Sequence, residues 1–140
     1  MLVVSLALVT VVCAQPSVSM TEDVLRMVRA AHKLKKLMPW SAPVPEIDSV
    51  VRHGKAVVPQ LIILLPDDPD DPNLAYERWD EQDIVAGKQF DWHVQQQAAT
   101  ALCRIYQIAE PDCPRYASRA TREANKKVRP FWLKIIGESR

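Results

Sequence analysis

Two cysteines ten residues apart, Cys103 and Cys113, are the pair in this sequence best placed to react, and the product would be a disulfide. Closing so small a loop contributes roughly 2 to 3 kcal/mol in the chain-entropy view, and the bond persists where the chain folds under oxidising conditions. Two buried free thiols are the alternative. His32, His53 and His93 belong to no His-x-x-x-His or Cys-x-x-Cys pattern, so no metal ligation by histidine is expected. Asp67, Asp68, Asp70, Asp71 and Asn73 crowd hard oxygen donors into one segment, an arrangement calcium could use. The glycine and terminal glutamate of an EF-hand are missing, and Pro66, Pro69 and Pro72 favour an extended, solvated acidic linker instead. Asp91 and His93 read as a helix cap and its exposed neighbour. With no Gly-x-Ser-x-Gly, P-loop or dinucleotide fingerprint, and with just Gly54, Gly87 and Gly137 to build a phosphate cradle, no catalytic or cofactor site is expected.

The charge layout says more about partners. Arg26, Arg29, Lys33 and Lys36 fall at helical spacing and make a basic stripe, either a solvated face or a surface for an anionic partner. Between Asp67 and Asp83 lie eight carboxylates and one base, Arg78, whereas Arg115 to Arg140 holds eight basic and two acidic residues. The blocks nearly cancel, which keeps the formal net charge at +1. Three readings stay open. The acidic segment folds over the C-terminal helices, or the two blocks form a bipolar surface with Tyr76, Arg78 and Trp79 as partner-binding anchors, or the loop aromatics tuck onto their own domain. Nucleic acid fits poorly, because the basic block has few aromatics for bases to stack on.

The frame that must hold these residues reads as helical. At 140 residues with 48% apolar and 25% charged side chains, the chain has room for one folded domain and is not a disordered composition. Three glycines leave little material for hairpin turns, which argues against an all-β barrel. Val24, Met27, Ala31, Leu34 and Met38 form one apolar stripe, on a helix that starts at a Ser19–Glu22 capping box and ends at Pro39. A short helix follows from Pro45 to His53, with Ile47, Val50 and Val51 inward and Gly54 as its stop. Val57 to Leu65 has the β-branched content of a buried strand, but Pro59 cannot donate to a sheet and suits a helix's first turn. Residues 66–90 show no sustained apolar period and read as a long acidic loop insertion. Asp91 then caps a helix with Val94, Ala98, Ala101, Leu102, Ile105 and Ile108 on the core side and Gln95, Gln96 and Gln97 on the wet side. Ala117, Ala120, Ala124, Val128, Phe131 and Ile135 give a last stripe, in which Pro130 either kinks one helix or starts a second, with Gly137 as the stop.

Ahead of all this, Leu2 to Val12 carries no charge and is too short for a bilayer span of roughly 20 residues. It has the length of a signal-peptide core, and Val12-Cys13-Ala14 before polar Gln15 places cleavage after Ala14. A lipoprotein anchored through Cys13 is the runner-up. Cleavage leaves residues 15–140, with no membrane span, and turns an odd three cysteines into one pair.

The segments VVPQLIILLPDD and VQQQAATALCRI together resemble one unit of the HEAT-type repeats found in short bacterial repeat proteins. Val58, Pro59, Leu61, Leu64 and Leu65 match the first helix of such a unit and Asp68 its turn. Val94, Ala98, Ala101, Leu102 and Ile105 match the second, across an insertion of about 20 residues. The resemblance covers about a third of the chain and implies an α-solenoid-like stack whose flanking helices act as degenerate repeats or caps. The expectation is therefore an all-α domain of five to six helices in antiparallel hairpins, exported to the periplasm or beyond, that binds or scaffolds another protein. A small secreted enzyme or enzyme inhibitor acting through residues 67–90 is the alternative.

Overall fold

The computed structural model describes residues 17–37, 42–66, 79–115 and 126–138. They form six α-helices and two 3-10 turns, and no strand occurs among them. The leader, Met38, Asp68, and the stripe alanines 117, 120 and 124 lie outside the described residues.

Helix α1 (Val18–Leu37) begins two residues earlier than its capping box suggests, because Ser17 Oγ accepts the Met20 N–H at 3.1 Å. Starting there brings Met20 onto the buried face one turn before Val24, with Met27, Val28 and Ala31 completing the stripe. Helix α2 (Ile47–Val51) buries Ile47 and Val50 completely. Gly54 ends it at φ +60°, and the 3-10 turn Gly54–Val57 leads into α3 (Val58–Ile63), where Pro59 sits in the first turn as its missing N–H requires.

The insertion is not a structureless loop in its second half. Helix α4 (Glu81–Val85) forms there, capped by Asp80, whose carboxylate accepts the Gln82 and Asp83 N–H groups. Gly87 closes it at φ +73°, where a Cβ would lie 3.1 Å from both the Ile63 side chain and its carbonyl, so a larger residue would be strained and crowded. A single turn with one buried apolar residue, Ile84, leaves no period to detect, which is why the pattern misses it.

Helix α5 (Trp92–Ile105) is the centre of the domain and packs against α1, α2 and α3. Asp91 caps it, accepting from His93 N at 2.8 Å. Every residue from His93 to Cys103 is buried, so the helix has no wet side, and the glutamines expected there are interior. Gln97 shows how an amide tolerates this: its Oε1 accepts from Val44 N at 3.0 Å and its Nε2 donates to Ala42 O at 2.8 Å. His93 is likewise buried, not exposed beside the cap.

Helix α6 (Val128–Glu138) carries Pro130 in its first turn, so the proline stands at a helix start. Trp132 is fully buried, while Phe131, assigned to the core by the stripe, is 38% exposed. Starting the helix at Val128 lets a four-residue step to Trp132 replace the three-residue step to Phe131, and the larger ring takes the interior. Gly137 lies within the last turn instead of ending the helix.

Candidate functional site

Arg26, Arg29, Lys33 and Lys36 are all exposed on α1, so the basic stripe is a surface. The described part of the acidic insertion lies against it. The Arg29 guanidinium makes a two-pronged contact with Glu81, Nε to Oε2 and Nη2 to Oε1, both at 2.9 Å. Hydrogen bonding to Glu81, with its charge, raises the Arg29 pKa above its ordinary value. Lys35, on the flank of the stripe, places Nζ 3.1 Å from Asp91 Oδ2. Asp91 thus serves α1 with one oxygen and the N-terminus of α5 with the other.

Between these two ion pairs, Trp79 stacks on His32 with centroids 3.7 Å apart and planes 17° from parallel. His32 Nδ1 is buried without a hydrogen-bond partner among the described residues. Burial lowers the His32 pKa, the nearby Lys36 ammonium lowers it further, and Asp91 opposes them. The neutral ring is the form that fits this stack. Behind Trp79 lies a cleft of about 180 Å3 walled by Ile84, Phe90 and Trp92, with Lys35, Gln89 and Asp91 at its polar side.

The rest of the stripe divides. Arg26 is paired locally with Asp23 at 3.4 Å and reaches Glu22 at 4.0 Å. Lys33 joins Arg26, Arg29, Ala30 and Glu46 around a shallow cleft of about 210 Å3. Neither Lys33 nor Lys36 has a carboxylate partner among the described residues. Tyr76 and Arg78, and the aspartates 67, 68, 70 and 71 with Asn73, lie outside the described residues.

Elsewhere, Cys103 and Cys113 are joined as a disulfide, with Cα atoms 5.9 Å apart. His53 contacts Asp23 at 2.7 Å. Among the described residues no three His, Cys, Asp or Glu side chains converge as a metal site, and no helix is long and apolar enough to cross a membrane.

His32 and Lys35 are participants on α1 that the sequence pattern does not single out. Their signal was present, since Arg29, His32 and Lys36 share one face at spacings of three and four while Lys35 stands beside it, but nothing in the pattern named Trp79 as the ring that His32 meets. No protein-family model, curated protein or solved structure matches the chain.

Proposed function

We propose that the chain is an exported helical module, HEAT-like in its middle, that binds an acidic, aromatic segment of another protein on the face of α1. The observation that carries this reading is that the face already holds such a segment from its own chain. Glu81, Trp79 and Asp91 occupy Arg29, His32 and Lys35 in turn, which displays the chemistry the surface accepts. Lys33 and Lys36 extend the same face with charges that no described carboxylate matches, and a cationic strip of this kind speeds encounter with an acidic partner.

Support for the repeat-like part comes from Pro59 in the first turn of α3 and from the fully buried Ala98 and Ala101, whose small side chains let α5 be approached closely. The disulfide suits an oxidising compartment.

The test is a capture experiment with the mature protein as bait in periplasmic extract or culture medium, run beside Lys33→Glu/Lys36→Glu. Both lysines are exposed, so the double variant should fold normally. The expected result is a specific partner that is lost on charge reversal and released by salt near 0.5 M. A partner retained equally by both proteins, or no partner at all, overturns the reading.

A further inference from the structure

Between α3, the end of α5 and α6 runs a groove of about 540 Å3, separate from the face of α1. That volume lies in the range of roughly 300 to 1,000 Å3 typical of small-molecule sites. Its walls are aliphatic, with Val58, Pro59, Ile62 and Ile63 on one side and Leu133 and Ile136 on the other. Two of these residues are conspicuously open to water, Ile63 at 43% and Leu133 at 47% exposure. The lining's polar side chains are Lys55 and Tyr106, and they are neighbours, the ammonium standing 5.6 Å from the ring centre.

This polar pair is held in place from both sides. Lys55 rides on the 3-10 turn Gly54–Val57, anchored by the fully buried Val57. Tyr106 caps α5 immediately after the segment fixed by the disulfide, and its ring packs against Trp132 with centroids 5.7 Å apart. Lys55 has no carboxylate partner among the described residues. An exposed ammonium with no carboxylate partner among the described residues, beside a phenol at an apolar groove, is a donor set for one negative charge.

We propose that the groove binds a free fatty acid, with its alkyl chain along α3 and α6 and its carboxylate at Lys55 Nζ and the Tyr106 hydroxyl. One ammonium matches one carboxylate, whereas a phosphate dianion would leave charge unbalanced in an apolar setting. A lone cation at the groove matches a ligand with one terminal negative charge, which an amphipathic peptide helix docked through its apolar face does not need. The aliphatic lining suits a flexible alkyl chain, whose burial is favourable in proportion to its length.

Calorimetric titration of the purified full chain with octanoate, decanoate and dodecanoate, each below its micellar concentration, tests the site directly. One molecule should bind per chain, with affinity rising about fourfold for each added methylene. Dodecan-1-ol and dodecylammonium should bind at least about tenfold more weakly than dodecanoate. Lys55→Met should remove the preference for carboxylate over alcohol while leaving the alcohol's affinity unchanged. Leu133→Glu, at an exposed position, should abolish both without altering the circular dichroism. Absence of saturable dodecanoate binding, or a carboxylate preference that survives Lys55→Met, overturns the proposal. So does a chain-length dependence that is flat. If sedimentation shows a dimer that Leu133→Glu dissociates while dodecanoate still binds with unchanged affinity, the groove belongs to a second copy of the chain and the fatty-acid assignment fails.

Discussion

Helix α1 meets the segment 79–91 through a guanidinium–carboxylate pair, an ammonium–carboxylate pair and one stacked imidazole. Tyr106, the C-cap of α5, meets a fully buried indole of α6, next to the disulfide near the end of α5. On the α1 side the first contact is exposed, with Arg29 and Lys35 each more than half accessible, although Asp91 is buried and Ile84 of the same segment joins the core; the exposed Arg29–Glu81 pair is screened by salt and adds little to global stability. The second removes large apolar surface from water and lies on the core. The difference predicts a clasp whose exposed pairs open while the domain stays folded and a joint that opens with the domain.

The sharpest test of that contrast is Trp132→Ala. Deleting a fully buried indole should cost about 3 to 5 kcal/mol in denaturant unfolding and lower the midpoint of the whole domain. Trp132→Phe should cost much less, because Nε1 has no hydrogen-bond partner among the described residues to lose. If Trp132→Ala merely frees α6 while α1 and α5 melt unchanged, α6 is an appendage and the contrast collapses. Next in size is the disulfide. Replacing Cys103 and Cys113 together by alanine should lower stability by roughly 2 to 3 kcal/mol, read from the shift in urea midpoint at constant slope.

On the clasp, Trp79→Ala should cost about 0.5 to 1.5 kcal/mol and act locally. Amide exchange should accelerate in residues 81–89 and stay slow in α5; equal acceleration in both would make the clasp part of the core. The same contact predicts a pH response. His32 is held below its ordinary pKa of 6.5 by burial and by Lys36, with Lys35 adding and Asp91 opposing. Well above 6.5 the ring is neutral in the folded and unfolded chain alike, and contributes no slope. Below about 6.5 the unfolded chain takes up the proton first, so stability falls with acidification until the folded ring also titrates. The difference in stability between the parent and His32→Gln should therefore narrow from pH 7.5 to pH 5. A parallel pair of pH profiles would remove His32 from the account.

How far the sequence revealed these two regions follows from what each is made of. The cysteine pair and the helix around Cys103 were legible, since the bond needs two thiols at a workable separation and the helix has an unbroken apolar stripe capped by Asp91. The enclosure of α5 was not. Gln95, Gln96 and Gln97 read as solvated because burial on every side depends on α1, α2 and α3 arriving together, and no local pattern encodes that. The apolar stripe points to Phe131 where Trp132 is the buried residue, since two aromatics in succession give a stripe two possible phases. The clasp is partly legible: opposite charge on α1 and the insertion is visible, and Arg29 and Trp79 stand out by type and place. Their partners, Glu81 and His32, lie 52 and 47 positions away in sequence, and such pairings come from tertiary packing alone.

The smallest predicted effect probes the geometry that the joint imposes on its own chain. After α5 the backbone turns through Gln107 at φ +56°, a left-handed conformation that glycine usually supplies. The turn is a full Schellman closure, with Ile108 N donating to Cys103 O at 2.8 Å and Gln107 N to Arg104 O at 3.3 Å. Its carbonyl acceptor belongs to the residue that bears the disulfide, so the bond and the turn constrain the same few residues before Cys113. Gln107→Gly relieves the side-chain strain of the left-handed region but enlarges the unfolded ensemble. The balance should be a gain of about 0.5 kcal/mol with the disulfide intact, measured as a small rise in urea midpoint. In the Cys103→Ala/Cys113→Ala background the gain should be the same if the turn is set by the helix end alone. A gain that changes sign there would mean that the disulfide, not the local hydrogen bonds, holds Gln107 left-handed.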